Sequence, residues 1–261
     1  HDDILQRTNA IADFFQGGRL ENGLFLTDYQ LGRGRWCGLS YGNRREVNTR
    51  MAGEAAVCLL RLHAETGPAD LERPAWRDQA VRLGDFFVAN LPDDGNPGKW
   101  WSLDGRRTDH TGTNGAYIVS LLAALHRETG DARYREAMRR SADFFAEQAL
   151  RGDLSGDTLD ALCIDKEAGH AVLRALLDAF GEVPEARWLE GALAAARFTD
   201  TWTFAWDVPF RPDTACGRRG FRTTGGTTVS VAHHHLDPYG VAIALDYLRL
   251  HRATGDEHWL R

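Results

Sequence analysis

Apolar positions recur along the chain at helical spacing, in two alternating kinds of segment. In the first kind a large apolar or aromatic residue stands ten positions before a phenylalanine: Ile4 before Phe14, Trp76 before Phe86, Tyr134 before Phe144 and Trp188 before Phe198. Ten residues make nearly three turns, so both ends lie on one side of a helix. A charged residue precedes each Phe (Asp13, Asp85, Asp143, Arg197), and a small one precedes that (Ala12, Gly84, Ala142, Ala196). The small residues leave room for a second helix to approach. The pattern predicts helices over about 2–16, 74–91, 131–149 and 184–202, with a fifth of the same kind opening at Trp259.

The second kind is apolar over more of its circumference and is predicted to be more buried. It runs Met51–His63, Thr113–His126, Lys166–Phe180 and Pro238–His251, and each copy carries a glycine near its start: Gly53, Gly115, Gly169 and Gly240. Glycine inside a helix costs about 1 kcal/mol relative to alanine, so its return at matching places predicts close helix contacts. Gly67, Gly130, Gly181 and Gly255 are the expected left-handed stops. Cys58 sits in such a run and is expected to be buried. Arg50 and Glu54, four apart, read as an intrahelical pair. His63, His126 and His251 recur at helix ends and read as structural, and His170 as a packed, hydrogen-bonded residue.

The connections are unequal. Passage from the second kind to the first is short, as in Thr129-Gly-Asp-Ala-Arg-Tyr134 and Thr254-Gly-Asp-Glu-His-Trp259. Passage from the first to the second is long and rich in Gly, Trp, Asp, Arg and Thr. Long loops in a compact array are where function concentrates. These all leave the same end of the first-kind helices, so they gather on one face.

Composition narrows the function classes. The chain has 261 residues, 43% hydrophobic and 26% charged, a globular balance rather than a disordered one. A net charge of −6 argues against a nucleic-acid partner. The longest apolar stretches, such as Tyr117–Leu125, are too short to span a bilayer. Cys37, Cys58, Cys163 and Cys216 form no C-x-x-C pair, so a zinc knuckle is not expected. No phosphate loop, dinucleotide fingerprint, G-x-S-x-G elbow or H-E-x-x-H stretch is present, and no cofactor is expected. Of 31 basic residues only Lys99 and Lys166 are lysine.

The alternation of outer and inner helices, the T-G-D-x-x-[WY] turns and the aromatic-rich loops resemble the six-hairpin glycosidase superfamily, the (α/α)6 toroids. The resemblance covers nearly the whole chain. It implies an all-α toroid, one catalytic-type domain over 1–261, whose inner helix N-termini and preceding loops line a sugar-binding cleft. Members include glycoside hydrolases, polysaccharide lyases and sugar epimerases. A full toroid has six hairpins. This chain shows four and the opening of a fifth, so an incomplete ring is expected: a fragment, or an open array completed by something else.

Within that frame, carboxylates at the loop ends are the candidates for acid–base work. Glycoside hydrolysis needs two carboxyl groups across the scissile bond. Asp109 precedes the second inner helix, Asp165 and Glu167 flank the start of the third, and Asp237 precedes Pro238 at the start of the fourth. Asp165 and Asp237 also read as N-caps, Glu167 as a dipole partner, and Asp109 as a loop-ordering group. His233, His234 and His235 follow a short β-like run after Gly225. They offer sugar contacts or acid–base work, or a metal site together with Asp237; no metal is expected. Trp36, Tyr41, Trp100, Trp101, Trp206 and Tyr239 are candidate sugar contacts, since aromatic faces suit the apolar faces of pyranose rings. The expected function is a glycoside hydrolase acting on an oligo- or polysaccharide, with an inverting course favoured by the resemblance. The alternatives are a lyase or epimerase working through the histidines and Tyr239 or Tyr41, and a non-catalytic glycan-binding scaffold.

Overall fold

The computed structural model describes residues 2–39, 44–66, 73–158, 162–233, 235–237 and 240–260. Its helices are α1 (Asp2–Phe15), α2 (Thr49–Thr66), α3 (Pro74–Asn90), α4 (Ala116–Thr129), α5 (Ala132–Arg151), α6 (Lys166–Glu182), α7 (Ala186–Asp200), the short α8 (Ala215–Arg218) and α9 (Gly240–Thr254), followed by a 3-10 turn over Glu257–Leu260. The inner row is α2, α4, α6 and α9, each packed on the next; the outer row is α3, α5 and α7. The two rows alternate along the chain, as the two sequence patterns require, and give the all-α toroid arrangement. One boundary differs from expectation. The third inner helix runs past Gly181 to Glu182 and ends on extended Val183, whereas Gly130 caps α4 in the left-handed region.

Close approach explains the inner glycines. A Cβ at Gly53 would stand 3.0 Å from the Tyr117 Cβ of α4, and one at Gly169 would stand 2.5 Å from the Thr199 hydroxyl of α7. The ten-residue spacing of the outer helices has an equally local cause. The aromatic at the start of one outer helix donates to the acid near the end of the previous one. Trp76 Nε1 donates to Asp13 at 2.9 Å, the Tyr134 hydroxyl to Asp85 at 2.9 Å, and Trp188 Nε1 to Asp143 at 2.8 Å.

The long loops pair with one another on one face. Strands β1 (Asp28–Gln30) and β2 (Arg35–Cys37) form one ribbon. Strand β3 (Val47–Asn48), β4 (Trp100–Trp101) and β5 (Arg107–Asp109) form a second, which ties the loop before α2 to the loop before α4. Strands β6 (Thr227–Thr228) and β7 (Leu236–Asp237) form a third. Thr113 N donates to Ser155 O, and Asp165 bridges Ser230, so the loops before α4, α6 and α9 are linked in turn. The β-like run after Gly225 is shorter than expected, with only Thr227 and Thr228 laddered.

Cys58 is exposed rather than buried. Its face of α2 looks toward α1 across a groove lined by Ile11, Phe15, Met51, Ala55, Leu59 and Leu62. Among the described residues no helix is long and apolar enough to cross a membrane.

Candidate active site

The N-termini of α2, α4 and α6 converge at the face that carries the loops. Arg50, in the first turn of α2, is the centre of the convergence. Its backbone N–H donates to Asn114 Oδ1 at 3.3 Å, just before α4. Its guanidinium donates to the Asp157 carbonyl in the α5–α6 loop and forms an ion pair with Glu167 in the first turn of α6. The expected pair with Glu54 is therefore replaced by one between two helices. Burial works against the Arg50 charge, but Glu167 and Asp157 outweigh it and hold the guanidinium protonated above its ordinary range. Tyr117 lies on the first turn of α4. Burial, and then the charge of Glu54, raise its phenol, and it also feels Arg50, Arg174 and Asp157.

The four carboxylates expected from sequence meet different fates. Glu167 remains partly open, its side chain 16% exposed beside an Arg50 side chain equally exposed. Asp165 is fully buried as the N-cap of α6. It accepts from Ala168 N at 2.6 Å, Asp157 N at 2.9 Å and Thr158 N at 3.1 Å. Burial raises its carboxyl, and those backbone donors pull the other way. Its lone pairs are committed to folding the loop. Asp237 is buried against the Lys166 ammonium, joining the start of α6 to the approach to α9. Asp109 accepts from Thr111 N at 2.8 Å and from its hydroxyl at 2.7 Å, which orders the turn before α4. Partial burial pushes Asp109 up, but the two Thr111 donors and Lys99 more than offset it, so its carboxyl lies below the usual range.

A fifth carboxyl was not foreseen. Asp157 is buried, and neither side-chain oxygen has a hydrogen-bond partner among the described residues. Burial pushes it up to about 8, against the pull of Arg50; Asp165 and Glu167 add to the rise, and Lys99 opposes it. Burial thus favours its protonated form.

The aromatics divide as sharply. Trp101 is core: its ring meets Phe86 and Phe87 edge-on, and its Nε1 donates to Pro97 O at 2.8 Å. Trp100 is also buried, with the Arg44 guanidinium 4.3 Å above its ring. Neither indole is placed as an open sugar platform: Trp101 packs in the helical core, and Trp100 is buried beneath Arg44. Trp36 packs among Phe14, Phe15 and Tyr29 over the end of α1. Trp206 is 67% exposed on the long α7–α9 connection. His233 and His235 lie near each other, ring centres 6.2 Å apart. Tyr41, His234 and Tyr239 lie outside the described residues. His170 is packed as expected, its Nε2 3.1 Å from Asp246 of α9. Among the described residues no group of three His, Cys, Asp or Glu side chains is placed to hold a metal ion.

No family model matches the sequence, and no curated protein matches it. Solved structures do match. A cellobiose 2-epimerase from Spirochaeta thermophila superposes with a TM-score of 0.63 at 16% identity, over 100% of this chain and 68% of that one. A family 76 glycoside hydrolase (mannosidase) from Bacteroides thetaiotaomicron gives 0.62 at 12% identity, over 99% of this chain and 68% of that one. A polysaccharide lyase gives 0.51 at 12% identity, over 99% of this chain and 44% of that one. Against that lyase the chain spans less than half the partner's length. At these identities the likeness is one of fold, and the fold is the (α/α) toroid. The expected fold is borne out by these structures.

Proposed function

We propose that the chain is a carbohydrate-active enzyme, and within that class a glycoside hydrolase acting at the mouth formed by the starts of α2, α4 and α6. The fold likeness supports the class. The observation that carries the hydrolase reading is the contrast between two carboxyl groups beside one guanidinium. Glu167 is ion-paired to Arg50 and partly open; the Asp157 carboxyl is buried, has no hydrogen-bond partner among the described residues, and is raised by that burial. A carboxyl that burial raises, beside a second one held in an ion pair, is the kind of contrast that acid and base roles require. Asp157 is the proton donor to the leaving oxygen, and Glu167 takes a proton from the attacking water. That division suits an inverting course. Catalytic contacts in a ligand-free site tighten only around substrate, which is consistent with the covered carboxyl of Asp157. Asp165, Asp109 and Asp237 shape the loops that present the pair.

The test is proton NMR of a glycan panel with the wild-type chain, Glu167→Gln and Asp157→Asn. New anomeric signals from the wild type are expected, and either substitution should lower turnover by roughly 10²–10⁴-fold with the helical circular dichroism unchanged. Vinylic products, or full turnover in both variants, would overturn the assignment and move attention to the lyase or epimerase chemistry of His233 and His235.

A further inference from the structure

A cavity of about 680 Å³ opens between the end of α7, one side of α9 and the 3-10 turn that follows it, and it shares no lining residue with the mouth. Its size falls in the range of about 300–1,000 Å³ usual for small-molecule sites. Ile243 and Leu248 of α9 give it an apolar wall. Tyr247, His258 and Trp259 give it an aromatic one, with the Tyr247 and His258 rings centred 5.3 and 4.7 Å from the Trp259 ring. Asp200 is its acidic group, and among the described residues no lysine or arginine lines it. The Tyr247 hydroxyl donates to Asp200 Oδ1 at 2.6 Å, and His258 Nε2 lies 3.3 Å from Oδ2. The Asp200 side chain is still 35% exposed, so its carboxylate keeps room for further donors.

The second observation is an unspent donor. Trp259 is 5% exposed, and its Nε1–H has no acceptor among the described residues. At the three earlier junctions the matching ring donates to an acid of the preceding outer helix, and here Arg197 stands in the acid's place. A buried donor without an acceptor is costly, so a fitting ligand brings one. A simple alkylammonium brings none. An anion meets the Asp200 charge with no lysine or arginine on the wall to offset it. A neutral molecule that both donates and accepts, on a body with apolar faces, satisfies the whole lining. A pyranose is such a molecule: its hydroxyls suit the carboxylate and the indole N–H, and its C–H face suits the aromatic wall. We propose that this cavity is a second glycan-binding site, which takes a neutral pyranoside on the flank of the array. The inference stands whether or not the mouth hydrolyses glycan.

The chain has eight tryptophans, so ¹⁵N labelling yields eight indole N–H signals, and Trp259→Phe identifies the one from Trp259. The protein is titrated with cellobiose, maltose and mannobiose, and with sodium glucuronate and tetramethylammonium chloride as charged controls. At least one neutral disaccharide is expected to move the Trp259 signal saturably and to bind about tenfold or more tightly than either control. Asp200→Asn is expected to weaken that titration about tenfold or more. Ala244→Phe, which fills the cavity from α9 without touching Asp200, is expected to abolish it with the helical circular dichroism unchanged. Equal binding of tetramethylammonium would mean a cation cage, and equal binding of glucuronate an unselective pocket. A Trp259 signal that no neutral disaccharide moves, or that moves as before in Ala244→Phe, would mean that no sugar occupies the cavity. Each of these overturns the proposal. A chain whose Trp259 signal follows a sugar but which cleaves no glycan loses the hydrolase reading and keeps this one. A chain that cleaves glycan while the Trp259 signal stays still does the reverse.

Discussion

Between α1 and α3, α3 and α5, and α5 and α7, an indole or phenol donates to a carboxylate on the preceding outer helix; at the next junction Trp259 Nε1 is buried with no acceptor among the described residues. The repeat is the same, but Arg197 stands where Asp13, Asp85 and Asp143 stood. Asp200, three residues on, is engaged elsewhere. It accepts from the Tyr247 hydroxyl at 2.6 Å and lies 3.3 Å from His258 Nε2. The outward face of α9 is correspondingly bare, with Val241 81% exposed. At the opposite end of the same hairpin the contrast is electrostatic. The first three inner helices meet around Arg50, with acidic groups left open or unspent. The fourth is joined by Lys166 and Asp237, which satisfy each other. The difference separates two uses of charge in one fold: a buried pair that holds a hairpin in place, and a partly satisfied cluster that the proposed function reads as the place for a ligand.

Substituting one partner of the holding pair should break this comparison most severely. Asp237→Asn removes the carboxylate that is paired with the buried Lys166 ammonium, a change that costs about 3–5 kcal/mol. Chemical denaturation should show that loss, and hydrogen exchange should show α9 opening before α4 or α6. Glu167→Gln should disturb both readouts less, because Arg50 is more open to solvent than Lys166 and keeps the Asp157 carbonyl. Equal destabilisation by the two substitutions would mean that the mouth is a structural pair like the other.

The next effect has the opposite sign. A carboxyl raised by burial binds its proton more tightly in the folded state than in the unfolded one. Stability therefore falls as pH rises from near 4, where the unfolded group ionises, to about 8, where folded Asp157 does. Asp157→Asn removes that slope, and at pH 8 it should stabilise the chain by about 2–4 kcal/mol while abolishing turnover. Gain of stability with loss of activity is the mark of a group retained for function. Thermal denaturation of wild type and variant across pH 4–9 checks it, and parallel curves would show that Asp157 is an ordinary surface-like acid.

How much of this was legible in the sequence depended on whether the cause was local. The helices were, because periodicity is local, and so was the ring-like alternation. The aromatic and the acid of the outer repeat were both visible, but their pairing runs between successive helices, so spacing alone did not disclose it. Glu167 could be placed from its position in a helical first turn. Asp157 could not: it sits in a Gly-Asp-Thr loop without period, and its character comes from burial against a side chain 107 residues earlier. Arg50 misled for the same reason, since Glu54 is four residues away and Glu167 is 117 away. The tryptophan doublet misled through composition. Loop aromatics suggest sugar contacts, yet both are buried on a two-residue strand, Trp101 in the helical core and Trp100 beneath Arg44.

The smallest effect tests the outer ring itself. If the aromatic-to-acid bond is what fastens successive outer helices, removing one and supplying one should have opposite signs. Asp143→Ala strips the acceptor from the buried Trp188 Nε1 and should cost about 1–2 kcal/mol, the usual penalty for orphaning a buried donor. Arg197→Asp places a carboxylate at the matching position of α7, within reach of Trp259 if the junction repeats the geometry of the other three. It should stabilise by about 0.5–1 kcal/mol, read as a rise in midpoint at unchanged denaturant slope. The double variant Arg197→Asp, Trp259→Phe isolates the bond, because phenylalanine keeps the ring and removes the N–H. A gain that survives in the double variant would trace to relieved charge rather than to the restored bond, and the fourth junction would then be a different joint rather than an unfinished copy of the first three.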